Sequence, residues 1–298
     1  MKKEITVETS TEKVNIKEFL EQKFSLSSRK TKSLLKDKKV QINGKTAYFD
    51  NSVKAGDSIV VDLSESGKDS TIPEDIPIDI IYEDDYLLAV NKLAGMLVHP
   101  TPNHPSGTLS NGVKHYLLAK GLDIPVRLAN RIDMDTSGVV VVAKSGEVHA
   151  AIAEQFDKDS CEKYYLAVVQ GSFRTGCGTI DKPIGVDETN PIRRAVREDG
   201  QRSITEFLVL EQYPEAALLQ LRLITGRTHQ IRVHMSSIGR PLLGDQLYGG
   251  SMELIQRQAL HAFELRFEHP FEKGSIILQA EMPADMKLLI ETLRSKQL

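Results

Sequence analysis

Four consecutive valines, Val139 to Val142, are the strongest constraint on what this chain can fold into. β-Branched side chains are stiff at χ1 and pack well on a pleated surface, so the run is expected to be a buried strand. It sits within NRIDMDTSGVVVVAKS, residues 130–145, whose second half differs from the phosphate-loop pattern G-x-x-x-x-G-K-[ST] by Ala143 in place of glycine. That likeness fails on physical grounds. A phosphate loop turns flexible, glycine-rich backbone N–H groups around the anion and stands between a strand and a helix. Here the would-be loop is itself the strand. What remains is Arg131-Ile132-Asp133 and then Met134-Asp135-Thr136-Ser137-Gly138, at the entry to a buried strand. Taken alone, Asp133, Asp135 and Ser137 suit a turn shaped by side-chain-to-backbone hydrogen bonds, and they also suit a catalytic loop.

Around this strand the pattern is of many strands, short turns and few crossover helices. Strand-like runs include IDIIYEDDYLLAVNK, KYYLAVVQG, SITEFLVLEQY, AALLQLRLITG, ALHAFELRFEHP and SIILQAEMP. Helical patterns fall on GTLSNGVKHYLLAKG, ended by Gly121, on EVHAAIAEQFDKD, and near THQIRVHMSSIG. The expectation is an α+β fold with a mainly antiparallel mixed sheet and flanking helices, not a doubly wound sheet.

At 298 residues the chain has room for two domains. Residues 14–61 read as a compact unit, with Ile16, Phe19, Leu20 and Phe24 at helical spacing and glycine turns at Asn43-Gly44 and Gly56-Asp57. The expected organisation is a small basic α+β domain over 1–62, an acidic linker over 63–77, and the main domain over 78–298. The net charge of −3 hides a sharp asymmetry: residues 23–45 carry eight basic side chains against Asp37 alone, whereas residues 62–79 carry six acids against Lys68. A basic module gains affinity for a polyanion by displacing counterions from phosphates, which makes Arg29, Lys30, Lys32, Lys36 and Lys39 candidate polyanion contacts. A solvated lysine-rich helix is the alternative.

Hydrophobic content of 40% with 27% charged residues describes a soluble globular protein. The start, MKKEITVETS, has no apolar core after its lysines and does not resemble a signal peptide, and no apolar run approaches a membrane span. Cys161 and Cys177 stand in no metal-like spacing, so reduced thiols and a cytoplasmic location are expected, with no membrane partner.

Two further stretches carry chemistry. LITGRTHQIRVHMSSIGRPLLGDQLYG, residues 223–249, holds Arg227, Arg232 and Arg240 with His229 and His234, and Asp245 is its one acid. The histidines stand five apart with no glutamate between them, so the helical zinc pattern is absent and no metal is expected. Arginines around a Thr-Gly turn suit phosphate binding or pairing with a carboxylate. In CEKYYLAVVQG, residues 161–171, strand alternation sends Tyr164 and Tyr165 to opposite faces, one to a core and one to a pocket where a ring can stack on a base.

Together and in this order, these stretches resemble the large-subunit ribosomal RNA pseudouridine synthases of the RluA/RluD type. NRIDMDTSGVVVVAK is similar to HRLD-x-x-TSG followed by an apolar strand and A-K; KYYLA matches K-x-Y-x-A; GRTHQIRVH matches GR-x-HQ-x-R-x-H. GRPLLGDQLYG and LHAFELRFEHP match the later motifs G-x-P-x-x-GD-x-x-YG and LHA-x-x-L-x-F-x-HP. The resemblance runs from about residue 80 to the C-terminus, and residues 14–61 look like the small RNA-binding module, found in a small-subunit ribosomal protein, that often precedes this catalytic domain. Two positions depart from the pattern: Asn130 replaces the usual histidine, and Leu93 replaces the proline of the K-P-x-G turn.

The resemblance implies the pseudouridine synthase fold and isomerisation of uridine to pseudouridine, most naturally in large-subunit ribosomal RNA. That reaction has no redox change and no net group transfer, so no cofactor is expected. It implies Asp133 as the catalytic carboxylate, Arg232 as its ion-pair partner, and Tyr165 stacked on the uracil and assisting proton removal from carbon five. The target uridine must be flipped out, and Arg131 is placed to fill the vacated stack. Asn130, Arg227 and His229 are further RNA-binding candidates, with Ile224 and Ile231 as apolar walls for the base or as core. The protein is expected to act as a monomer. A tRNA-directed synthase and a non-catalytic RNA-binding ribosome-assembly factor are the alternative readings.

Overall fold

The structure, a computed structural model, describes residues 2–7, 14–24, 26, 28–62, 71–158 and 160–296. The chain divides into two compact units, Met1–Lys68 and Asp69–Leu298. Much of the acidic connector, residues 63–70, lies outside the described residues.

The first unit is a four-stranded antiparallel sheet in the order Lys2–Thr6, Ser58–Asp62, Val40–Ile42, Lys45–Thr46, together with helices Ile16–Lys23 and Ser28–Lys36. Asn43 and Gly44 both take positive φ (50° and 76°), the backbone that a two-residue hairpin turn demands. Asn15 caps the first helix, its side chain accepting the Lys17 N–H at 2.8 Å. Ile16, Phe19, Leu20, Leu34 and Leu35 close the core against Val40, Ile59 and Val61. The strand Lys2–Thr6 was not visible as a strand in the sequence; it pairs along all of Ser58–Asp62.

The second unit is built on a ten-stranded sheet. Its path runs Cys177–Asp181, Ile204–Gln212, Ala216–Leu223, Glu162–Gln170, Leu260–Glu268, Ser137–Ala143, Leu87–Lys92, Asp79–Glu83. Neighbours are antiparallel throughout, except where Ser137–Ala143 meets Leu260–Glu268 in a short parallel joint, Ser137 opposite His261 and Gly138 opposite Ala262. The valine run is fully buried and serves both faces. Val139 and Val141 pack with Val148 and Ile152 of helix Gly146–Asp157, and Val140 and Val142 pack with Leu109, Val113 and Leu117 of helix Leu109–Ala119. Ser145 caps the first of these helices by accepting the Val148 N–H, and Gly121, at φ +78°, follows the end of the second. No helix among the described residues is long and apolar enough to cross a membrane.

Gly138 is the residue that lets the parallel joint close. Its φ is +121°, and a Cβ there would lie 2.1 Å from the Ala262 carbonyl oxygen. Gly138→Ala is therefore expected to cost about 3 kcal/mol or more, through both backbone strain and forced separation of the strands. Thermal unfolding followed by circular dichroism checks this; an unchanged melting temperature contradicts it. The joint matters because the loop that ends in Ser137 begins at Asp133.

Candidate active site

Asp133 stands on the loop before the valine strand, its side chain 28% exposed. Arg232 reaches it from the helix Gln230–Ser237, with Nη1 at 3.2 Å from Asp133 Oδ2. The guanidinium is held from behind by Asp245, which accepts from Nε at 2.7 Å and from Nη2 at 2.8 Å, and which is itself 1% exposed. A bidentate carboxylate fixes the plane of an arginine, so its remaining N–H groups have a set direction. Burial alone would push the Arg232 pKa down, but the hydrogen bonds and charges of Asp245 and Asp133 more than offset it and hold the guanidinium charged. Tyr248 adds its ring face 4.9 Å from the guanidinium.

His229 caps the same helix in a left-handed conformation (φ 57°, ψ 18°), a strained setting for a residue other than glycine. That backbone sends the imidazole beside the carboxylate, with Nε2 3.9 Å from Asp133 Oδ2. Its Nδ1 lies 2.8 Å from the Tyr248 hydroxyl, which in turn accepts the Arg194 N–H at 2.9 Å. Burial lowers the His229 pKa, with Arg232 and Arg194 acting in the same direction against Asp133 and Asp245, so the ring is neutral near pH 7. The tight turn before the helix is pinned by Gln230. Its Oε1 accepts from the Arg227 N–H and the Thr225 hydroxyl, and its Nε2 donates to Ile204 O and Thr205 Oγ1.

Tyr165 lies on Glu162–Gln170 opposite a β-bulge in Leu260–Glu268, where the register slips between Tyr164 and Leu166. Bulges re-aim side chains, and Tyr165 packs between two apolar clusters, one holding Ile132 and the other Leu223 and Ile231. Burial and then the Asp133 charge push its phenol pKa well up, so it keeps its proton. Tyr164 points to the other face, tilted against Phe263 and covered by the Arg266 guanidinium at 5.1 Å. The two tyrosines therefore divide as the strand period requires.

Other expected residues fall differently. Ile231 is core, packed with Leu219, Leu221 and Met235, while Ile224 is only half-buried. Arg131 and Arg227 are exposed. Asn130 is spent on the strand: its Nδ2 donates to Val139 O at 3.0 Å and its Oδ1 accepts the Val141 N–H at 2.8 Å. Both ends of the amide are thus engaged with the backbone of the valine strand. His234 is also structural, buried between Thr205 Oγ1 and Lys182 O. In the first unit Lys32 and Lys36 are exposed and Lys39 is half-buried; the side chains of Arg29 and Lys30 lie outside the described residues.

Lys92 is a component that the sequence did not single out. Its side chain is fully buried, and Nζ donates to three carbonyls, Leu93, Met96 and Met134, each at 2.8 Å. It thereby ties the Lys92–Met96 turn to the residue after Asp133, which is how the turn survives with exposed Leu93 in place of proline. Burial pushes the ammonium down to about 8, opposed by Asp135 and Asp133. The folded value lies below the unfolded one, so the unfolded chain binds more protons between about pH 8 and pH 10.5, and this group's contribution to stability rises across that window. The full swing is ~3 kcal/mol. Wild type is expected to gain on Lys92→Met as pH rises through it, by denaturant titration at each pH; a constant difference contradicts this.

Comparison with known proteins gives the family. Residues 86–237 match the RNA pseudouridylate synthase family, and residues 3–59 match the RluD ribosomal pseudouridine synthase N-terminal domain. The chain belongs to the RNA pseudouridylate synthase family. It is 42% identical over 255 residues to the uncharacterized RNA pseudouridine synthase YhcT of Bacillus subtilis (strain 168), covering 85% of this chain and 84% of that protein. It is 40% identical over 256 residues to ribosomal large subunit pseudouridine synthase D of Zymomonas mobilis, covering 81% and 80%. Two solved human structures share the fold at 24% identity. RNA Pseudouridylate Synthase Domain Containing 4 has a TM-score of 0.61 over 72% of this chain and 93% of that one. Domain Containing 1 has 0.58 over 74% and 95%. The protein is thus an RNA pseudouridine synthase with the mixed, mostly antiparallel sheet expected of it. The synthase's Asp245 and Tyr248 were hidden in the sequence inside GDQLYG; Asp245 stood out only as the single acid among arginines.

Proposed function

We propose that this synthase isomerises uridines of large-subunit ribosomal RNA, with Asp133 as the carboxylate at the sugar's anomeric carbon. The observation that carries the reading is the Asp133–Arg232–Asp245 chain, in which a partly exposed carboxylate is oriented by an arginine locked from behind. The ribosomal target is supported by the names of relatives such as the Zymomonas mobilis synthase D and by the match of residues 3–59.

The reaction breaks the bond from N1 of uracil to the anomeric carbon, turns the base, and forms a bond from carbon five to the same carbon; the carbon-five proton leaves and N1 gains one. Asp133 serves by adding to the anomeric carbon, by stabilising an oxocarbenium-like centre, or by abstracting a sugar proton, and Arg232 orients it for each. Tyr165 supplies a ring face for the uracil. It is also placed to assist removal of the carbon-five proton. The uridine is extruded from its stack at a cost of about a few kcal/mol, and exposed Arg131 takes its place. Arg227 and neutral His229 line the RNA side of the helix N-terminus, with half-buried Ile224 nearby as an apolar wall. The synthase acts as a monomer in the cytoplasm, its residues 1–62 serving as a basic RNA-binding domain.

Incubation with unmodified 23S-type rRNA and tRNA transcripts in parallel, followed by pseudouridine measurement in nucleoside digests, tests the target. Pseudouridine in rRNA supports the reading; formation in tRNA alone overturns it. For the basic module, Lys32→Gln with Lys36→Gln is expected to flatten the log–log salt dependence of RNA binding by about 1.5, since each phosphate contact contributes roughly 0.7–0.9. An unchanged slope identifies these lysines as a solvated face.

A further inference from the structure

The loop from Asp133 to Ser137 is gripped residue by residue. Arg232 takes the Asp133 carboxylate, Lys92 takes the Met134 carbonyl, and Arg257 Nη1 donates to the Asp135 carbonyl at 3.0 Å. Gln258 Nε2 approaches Thr136 Oγ1 at 3.4 Å, and the Ser137 hydroxyl lies 2.9 Å from His261 Nδ1. The last three grips come from one short segment, residues 257–261, which leads into the strand that makes the parallel joint.

Arg257 has the geometry of a strut. Its Nε and Nη2 both donate to Asp285, at 2.6 and 2.9 Å, which fixes the guanidinium plane and aims Nη1 at the main chain. Besides Asp135 O, Nη1 reaches Gln258 O at 3.1 Å and Leu260 O at 3.3 Å, so one nitrogen joins the Asp133 loop to the entry of the neighbouring strand. The anchor is stiff. Asp285 lies in the first turn of helix Ala284–Ser295, whose Met286, Leu289, Ile290 and Leu293 are buried against Leu218 and Ala259. The Arg257 side chain is 11% exposed and that of Asp285 44%, so solvent screens the pair on its carboxylate side. The Asp135 carbonyl that Arg257 holds lies two residues past Asp133, and a displacement of about 1 Å at a reacting group costs roughly 100-fold in rate.

We infer that Arg257, anchored on Asp285, is a positioning residue for the isomerisation: it sets the reach of Asp133 by holding the Asp135 carbonyl. The inference rests on Asp133 being the reacting carboxylate. Lysine at 257 retains the charge for Asp285, but its single nitrogen cannot span both Asp285 and the Asp135 carbonyl in the arginine's fork geometry.

The test measures kcat and KM of the full-length protein on an rRNA transcript, with melting temperatures, for Arg257→Lys, Arg257→Gln and Asp285→Asn, and with Asp133→Asn alongside. Arg257→Lys is expected to keep its melting temperature within about 2 °C. Its kcat is expected to fall roughly 10- to 100-fold with KM unchanged. Arg257→Gln falls at least as far, and Asp285→Asn falls less because Nη1 is retained but unanchored. Full kcat in Arg257→Lys overturns the inference, as does a loss confined to KM, or kcat that simply follows melting temperature across the variants. An active Asp133→Asn protein overturns the underlying reading of Asp133 as well, whereas an inactive one beside unimpaired Arg257 variants overturns the positioning inference alone.

Discussion

Asp133→Asn is expected to lower the isomerisation rate by roughly 10⁴-fold or more while leaving RNA binding and the melting temperature nearly unchanged. The substitution is isosteric and removes only the charge. Asp133 makes one hydrogen bond from Arg232, at 3.2 Å, and its side chain is 28% exposed, so little folding energy depends on it. All three routes open to the carboxylate need the ionised form, and an amide supplies none of them. Single-turnover assays on rRNA transcripts, paired with filter binding, check this. Activity within tenfold of wild type contradicts the assignment; a large loss of binding with the same rate at saturation moves Asp133 from chemistry to recognition.

Arg232→Gln is expected to damage both activity and stability, which separates it cleanly from Asp133→Asn. Asp245 is 1% exposed, and its two carboxylate oxygens accept from Arg232 Nε and Nη2 at 2.7 and 2.8 Å. Removing the arginine leaves a buried carboxylate without compensation, a change that costs about 3–5 kcal/mol. For a unit of this size that corresponds to roughly 10 °C in melting temperature. The rate is expected to fall about 10³-fold, because Asp133 loses the partner that orients it and the fixed positive charge beside it. Arg232→Lys recovers part of the stability but not the rate, since an ammonium cannot reproduce the bidentate grip on Asp245 together with the contact to Asp133. A Gln variant that melts with wild type contradicts the triad; equal recovery of rate and stability in the Lys variant removes the geometric part of the argument.

The sequence was most legible where one local rule dominates. The valine run could only be a buried strand, and the structure buries all of it, odd and even valines under different helices. The KYY alternation correctly separated Tyr164 from Tyr165, because a two-residue period leaves no third choice. The main strands and the antiparallel bias followed from short turns. The elements that escaped lack such signals. The hairpin Ile184–Val186 with Arg194–Val196 is three residues a side, and the final helix Ala284–Ser295 mixes polar and apolar residues with no side-chain cap at Pro283. Long-range partners were the least legible. Arg232 and Asp133 are 99 residues apart in sequence, and their pairing was implied by family resemblance rather than by spacing. Lys92 reads as an ordinary strand-end lysine, and only the fold brings its ammonium under three carbonyls from two loops. Asn130 departs from the family's histidine beside Arg131, and the bracing of Val139 and Val141 by its side chain is a local backbone role that a motif comparison does not reveal.

The most direct test of the central claim is a map of pseudouridines in total RNA from cells lacking this protein, complemented either with wild type or with Asp133→Asn. The account predicts that specific pseudouridines of large-subunit ribosomal RNA disappear with the protein, return with wild type and stay absent with the Asp133→Asn form. Return of those sites with Asp133→Asn, or a loss confined to transfer RNA, would contradict it.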